Sequence, residues 1–246
     1  MKASPEAQLR LLELADLDAE LARLDHRRRT LPEIAQLEQI DARSSELRDG
    51  IVMADTELSD LGREQTRAEH DVDQVRQRID RDRSRLDSGQ VSAARELANL
   101  QSEVESLHRR QSDLEEVVLD VMERRETADS RRETLTAEQA DLAGRAAELT
   151  STRDAALKEI SEQAAKAESS RATVAADIPA DVLTLYDKLR AQQGVGAAML
   201  RRGRCEGCNL SLHTVDLNEI RAAAPDEVVR CEECRRILVR TAESGL

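Results

Sequence analysis

A mainly α chain, folded as a long antiparallel coiled-coil hairpin with a small C-terminal β module, is the architecture the sequence predicts. Three observations carry it. Aliphatic residues recur with a 4-3 spacing through most of the 246 residues, the only aromatic residue is Tyr186, and all four cysteines fall in the last quarter. A single-core domain of this length normally buries several aromatic rings. Their scarcity argues against an α/β barrel, a doubly wound sheet or a β-sandwich, and the regular leucines argue against disorder.

The helical arms come first. From Leu47 the spacing runs without a slip through Ile51, Ala54, Leu58, Leu61, Gln65, Ala68, Val72, Val75, Ile79, Asp82 and Leu86. A second run extends from Leu97 through Leu100, Val104, Leu107, Gln111, Leu114, Val118 and Val121, onward to Ile160. A repeat of 3.5 held this long makes two helices wind around each other to keep the seam buried. If the chain folds back near Gly89, Leu86 faces Leu97, Ile79 faces Val104, Leu61 faces Val121 and Leu47 faces Leu135. In that register the polar seam residues Gln65, Asp82, Arg125 and Arg132 oppose Val118, Leu100, Leu58 and Ile51, and the arginines can extend outward along their stems. Only Ser44 and Gln139 form a doubly polar pair, suited to pinning the register. The expectation is an intramolecular antiparallel hairpin over 1–176.

An earlier leucine run, Leu14, Leu17, Leu21, Leu24 and Leu31, is one residue out of phase, and the change falls at 30–32, where Pro32 predicts a kink or break. Beyond it, Leu24 is expected to face Ile160 and Leu17 to face Ala167. The tip lies within 87–96, with Gly89 ending one helix and Ser92 as candidate N-cap of the next. Ser88, Gly89, Gln90 and Val91 are read either as a simple turn or as an exposed docking point. After about residue 170 the heptads dissolve into Ala, Ser and Thr. Residues 177–196 then hold a short helix from Pro179 to about Arg190, with Tyr186 packing structurally between the arms and the C-terminal module.

That module, 197–241, carries Cys205-x2-Cys208 and Cys231-x2-Cys234. Two-residue spacing lets both thiolates of a tight turn reach one ion, and two such turns make the closed tetrahedral set Zn²⁺ prefers. Disulfides or a redox dithiol fit less well in a chain with no other cysteine and no thioredoxin-like context. A C4 zinc ribbon with one structural Zn²⁺ is predicted, with strands near 197–201 and 236–240, Val228-Val229 entering the second turn and a short helix within 214–224. Metal binding would supply most of so small a module's folding energy.

Function is bounded more than specified. Four thiolates leave no position for an activated water. His26, His70 and His108 are scattered along the arms, and His213 is surplus to the cysteine set, so no catalytic residues are assigned and a non-enzyme is expected. The formal net charge of −13 argues against general affinity for DNA or anionic lipid. No run approaches the roughly 20 apolar residues of a membrane span, and the N-terminus lacks a signal-peptide core, so the expected location is the cytoplasm. Residues 195–240 carry eight arginines against seven acids. Arg201, Arg202, Arg204, Arg230, Arg235 and Arg236 have two readings: a nucleic-acid or partner surface, or compensation for the −2 charge of Zn²⁺ with four thiolates. The lack of aromatics for base stacking counts against single-strand binding.

The tip Asp87-Ser88-Gly89-Gln90-Val91 with Arg95-Glu96-Leu97 and Leu100-Gln101-Ser102-Glu103 resembles the bacterial coiled-coil hairpin proteins with a C-terminal C4-type zinc ribbon. So do Leu185-Tyr186 and the ending Cys231-Glu232-Glu233-Cys234-Arg235-Arg236-Ile237-Leu238. Arg235 departs from the glycine usual there, and implies a non-glycine residue at positive φ. The resemblance implies a regulatory adaptor, some members being linked to transcription-factor or RNA partners. The leading expectation is a non-enzymatic zinc-binding adaptor with protein partners at tip and ribbon, as a monomer or weak homodimer. The alternative is a nucleic-acid-binding regulator acting through the ribbon arginines.

Overall fold

The computed structural model describes residues 1–89 and 91–246, so Gln90 lies outside the described residues. Three long helices dominate: α1 (Pro5–Arg29), α2 (Pro32–Asp87) and α3 (Ala94–Ala176). The Ser4 hydroxyl caps α1 by accepting from the Ala7 N–H at 3.2 Å, with Pro5 just inside the first turn. The phase change at 30–32 is a full helix boundary. The Thr30 N–H donates back to the carbonyls of His26 and Arg27, Leu31 turns inward, and Pro32 opens α2. At a first helical position the missing proline N–H costs nothing. Contacts divide the chain into two compact units, Gln36–Leu149 and a second comprising Met1–Ala35 with Thr150–Leu246.

In the unit Gln36–Leu149, α2 and α3 form the antiparallel hairpin. Its seam is the heptad set: Leu47, Ala54, Leu61, Ala68, Val72 and Ile79 on α2, against Leu100, Leu114, Val121, Ala128 and Leu142 on α3, are all buried. Leu58, Leu61, Val121 and Ala128 pack as one cluster, the register expected from the sequence. Ion pairs bridge the helices outside the seam, Arg43 to Glu138 at 2.9 Å and Arg76 to Glu115 at 2.7 Å among them. Exposed pairs of this kind contribute little, so the aliphatic seam sets the register.

Polar seam residues behave less uniformly. Gln65 and Arg125 find each other, the guanidinium donating to Gln65 Oε1 at 3.0 Å. The arginine is long enough to carry its charge out to a partner one step along the groove. Ser44 and Gln139 are half-buried with no hydrogen bond between them. Asp82 is buried with Oδ2 lacking a hydrogen bond, its nearest cation being Arg78 Nε at 3.9 Å. At the tip, Gly89 adopts φ +66°, a left-handed conformation glycine accepts without strain. Helix α3 begins one residue later than Ser92 implied: the Ala93 carbonyl receives the Glu96 and Leu97 N–H groups.

The second unit has three apolar cores, one of them around the cysteines. Leu24, Leu31 and Ile160 form a small cluster, as the pairing of Leu24 with Ile160 anticipated, and the partly buried Ala156 and Ala164 pack against it. The largest core joins Ala7, Leu11 and Leu14 of α1 to Val182, Tyr186 and Leu189 of α4 (Ala180–Gln193) and to Ile237 and Val239 of the C-terminal sheet. That sheet comprises β1 (Ala197–Arg201), β2 (Arg204–Cys205), β3 (Val229–Arg230) and β4 (Ile237–Val239), in the order β2-β1-β4-β3. Strands β1 and β4 pair in parallel, Ala198 opposite Leu238, and the outer pairings are antiparallel. Helix α5 (Thr214–Ala222) lies between the two strand pairs in sequence.

Two features of this unit have no local sequence signature. The N-terminal residues join the ribbon: the Ala3 N–H donates to the Asp226 carbonyl at 2.8 Å, and the Gln8 amide spans the carbonyls of Ala3 and Pro225. Asp18, whose side chain is 0% exposed, accepts the Tyr186 hydroxyl on Oδ2 and the Arg171 Nε–H on Oδ1, both at 2.7 Å, and forms an ion pair with Arg190 Nε at 2.9 Å. The sole aromatic thus packs structurally, with its polar end held by the one carboxylate buried among apolar residues of α1. Among the described residues no helix is long and apolar enough to cross a membrane.

Candidate metal centre

Each Cys-x2-Cys pair is held by the same backbone pattern. In the first turn the Cys205 N–H donates to the Leu210 carbonyl at 3.0 Å and the Asn209 N–H to the Cys205 carbonyl at 2.8 Å. In the second, the Cys231 N–H donates to the Arg236 carbonyl and the Arg235 N–H to the Cys231 carbonyl, both at 2.9 Å. Closing so tight a loop requires a left-handed residue just after the second cysteine: Asn209 has φ +60° and Arg235 φ +65°. Asparagine tolerates this region. Arginine does so only under constraint, so the positive φ that replacement of the usual glycine implied is present.

The two turns face each other. Cys205 Sγ lies 3.8 Å from Cys234 Sγ and Cys208 Sγ 3.9 Å from Cys231 Sγ, and all four sulfurs fall within 4.8 Å of one another. Four sulfurs about 2.3 Å from one ion at tetrahedral corners stand about 3.8 Å apart, so the cage fits Zn²⁺. A disulfide needs about 2.05 Å between sulfurs, and none of the four is paired that way. Cys205 and Cys231 are buried, with Ala198, Leu200, Leu212, Ile220 and Leu238 around them.

Electrostatics divide the thiols. Burial pushes the Cys205 thiol up to about 12, against the pull of the Gly207 and Cys208 N–H groups. Burial also raises Cys231, against the N–H groups of Cys234 and Glu233. At Cys234 burial is outweighed by the backbone N–H and guanidinium of Arg236, which bring the thiol down to about 7. A dication among the sulfurs reverses the burial penalty by pairing with the thiolates.

Packing around the centre is tight. A Cβ on Gly207 would stand 2.8 Å from Arg236 Cδ and 2.9 Å from Ala198 Cβ, so this position excludes side chains. Arg236 donates to the carbonyls of Val195, Gly207 and Gln193 at 3.2, 3.0 and 2.7 Å. Its charge is spent on the thiolate cage and the linker from α4. Arg240, which the sequence did not single out, donates to carbonyls of Ile220, Ala223, Ala224, Pro225 and Glu227 and so closes the end of α5. The only sequence hint is a basic residue spaced to return beside a helix C-terminus.

The other candidates divide by their partners. Arg201 pairs with Glu243 at 2.8 Å and Glu206 at 3.4 Å, Arg235 with Glu232 at 3.4 Å, and Arg230 donates to the Arg235 carbonyl at 3.0 Å. Arg202 and Arg204, at the β1–β2 turn, are exposed and make no side-chain hydrogen bond or ion pair among the described residues. His213 is exposed and precedes α5, its carbonyl accepting from the Leu217 N–H rather than its ring serving the cage. Of the tip residues, Ser88 and Gly89 are exposed, Val91 is buried, and Gln90 lies outside the described residues.

Comparison with known proteins agrees with this geometry. Residues 204–238 match the C4-type zinc ribbon domain, and the four cysteines are the ligands of one structural zinc ion. Over 246 aligned residues, 98% of each chain, the sequence is 42% identical to Mycobacterium tuberculosis uncharacterized protein Rv2229c. A solved structure from Mycobacterium smegmatis, 37% identical, superposes with a TM-score of 0.84 over 98% of this chain and 100% of that one. The structure of CT398 from Chlamydia trachomatis shares the fold at 18% identity, with a TM-score of 0.72 over 96% and 98% of the two chains. Residues 14–194 match the CT398-like coiled coil hairpin domain, and with zinc ribbon and helical arms joined in one polypeptide the chain belongs to that family.

Proposed function

We propose that this protein is a non-enzymatic, regulatory adaptor, a zinc-stapled coiled-coil scaffold that engages protein partners through its hairpin tip and its ribbon. The observation that carries this reading is the closed thiolate cage. With four sulfurs occupying the tetrahedral positions, the ion has no place for water or substrate and serves folding instead. Elsewhere among the described residues most carboxylates and histidines lie along solvated helix faces, the buried Asp18 is engaged by Tyr186, Arg171 and Arg190, the buried Asp82 faces the seam near Arg78, and no enclosed site brings a nucleophile and its base together. A metal thiolate centre without disulfides supports the reducing cytoplasm as its compartment. The test is affinity capture with the full chain against one whose residues 88–95 are scrambled, both checked for zinc content and helicity. Partners retained by the first and lost from the second support the reading, and identical capture by both overturns the role of the tip.

A second reading, nucleic-acid binding by the ribbon, is favoured by Arg202 and Arg204, two neighbouring cations without acidic partners. Replacing both with alanine would flatten the salt dependence of binding if they contact phosphates. No binding of RNA or DNA at low salt removes this reading.

A further inference from the structure

On one side of the hairpin, α2 and α3 border two adjoining concavities of about 700 and 440 Å³ that share Leu119. The floor is apolar: Leu58, Val118, Leu119 and Met122, with Leu119 59% and Met122 47% exposed although the neighbouring seam is dry. Solvated heptad flanks normally carry charge, so two large apolar side chains here are out of pattern. Gly62 adds an independent observation. It lies four residues after Leu58 and three before Gln65, on the same helix face. A Cβ there would meet nothing within 4 Å. Glycine weakens a helix interior by about 1 kcal/mol relative to alanine, and no packing among the described residues requires it. Its missing side chain leaves room for another backbone to approach.

We propose that this groove docks one amphipathic, basic α-helix of a protein partner, laid along α2 and α3 as a third strand of the coiled coil. The rim selects the charge. Among the described residues, Glu69, Glu123 and Glu126 border the groove without a cationic partner, whereas Arg76, Arg125 and Arg132 are engaged by Glu115, Gln65 and Asp129. Lysines or arginines flanking an apolar stripe at i, i+3, i+4 and i+7 would meet that rim while the stripe covers Leu119 and Met122. A second copy of this chain is a poor occupant, because its own groove would bring acids against acids. From Leu58 to Val72 the floor runs about 21 Å at 1.5 Å per residue, four turns of a partner helix. The inference rests on the adaptor reading and names a partner's chemistry, while the tip experiment tests that reading separately.

The test uses the full-length zinc-loaded protein and an 18-residue fluorescent peptide with leucine at the stripe positions and lysine on both flanks, followed by anisotropy. Saturable binding is expected. It should weaken at least tenfold in Leu119→Gln/Met122→Gln and also in Gly62→Gln, which fills the groove with a neutral side chain while favouring the helix. A peptide with glutamate flanks should bind at least tenfold more weakly. Asp120 and Glu57, on the other side of the pair, supply the control: Glu57→Lys/Asp120→Lys should keep affinity within about threefold. Helicity and thermal midpoint establish that each variant is folded. No saturable binding, equal binding by the groove variants, loss only in the control, or a homodimer abolished by Leu119→Gln/Met122→Gln would each overturn the proposal.

Discussion

Replacing Asp18 with asparagine keeps the volume of the side chain and removes its charge. The carboxylate is fully buried, accepts hydrogen bonds from Tyr186 Oη and Arg171 Nε, and forms an ion pair with Arg190. Arg171 is itself largely covered, its side chain 19% exposed, so its charge would lose its counter-ion in a poorly solvated place. Removing one member of a buried ion pair typically costs about 3–5 kcal/mol, and the tyrosine bond falls from charge-assisted to neutral. Because the hub joins α1, α3 and α4, the loss should appear in the unit that contains them, lowering its urea midpoint. Tyr186 is the only intrinsic fluorophore, so its emission reports that unit alone, while ellipticity at 222 nm reports all helices. Asp18→Asn should shift the fluorescence transition to lower urea more than the ellipticity transition. A loss below about 1 kcal/mol, or two transitions shifted equally, would refute the reasoning that this carboxylate is a local keystone.

The same site predicts an alkaline limit. Burial, the Asp18 hydrogen bond and its charge raise the Tyr186 phenol above its ordinary value. The unfolded chain therefore releases this proton first, near pH ~10, and stability holds below that pH and falls above it. Urea midpoints between pH 8 and 11.5 should decline in the wild type and lose part of that slope in Tyr186→Phe. Arg235→Gly should stabilise the ribbon by about 0.5–1 kcal/mol, since relief of about 1–2 kcal/mol of left-handed strain exceeds the entropy glycine adds to the unfolded chain. The guanidinium concentration at which zinc passes to a chromogenic chelator should rise, and a fall contradicts the assignment. Asp82→Leu replaces a buried carboxylate whose Oδ2 accepts no hydrogen bond and has only a distant ion pair with Arg78, and should slow amide exchange over 75–89, the opposite of what loss of a needed polar contact would do.

Most of the helical architecture was legible because it rests on one periodic signal. An aliphatic residue every 3.5 positions can be buried only along a partner helix, so Leu61 against Val121 and Leu24 against Ile160 followed from counting. The metal centre was legible because two-residue cysteine spacing is a local geometric device, and Arg235 announced its own positive φ by standing where glycine is usual. What escaped has no local pattern. Asp18 meets Arg171 and Tyr186 across 153 and 168 positions of sequence, and nothing about an aspartate between Leu17 and Ala19 separates a buried hub from a solvated charge. The contact of Ala3 and Gln8 with the loop at Pro225 and Asp226 is a backbone pairing, indifferent to side-chain type. Parallel pairing of β1 with β4 was equally hidden, since strands of five and three residues carry too few side chains for alternation to identify a partner.

X-ray absorption at the zinc edge of the purified full-length protein addresses the central claim most directly. Geometry places the four sulfurs of Cys205, Cys208, Cys231 and Cys234 around one point. One zinc per chain in a shell of four sulfurs at about 2.3 Å, with no oxygen or nitrogen scatterer, is the expected spectrum. A bound water or histidine nitrogen, or less than one zinc per chain, would mean an open or partial site and would contradict a sealed structural centre.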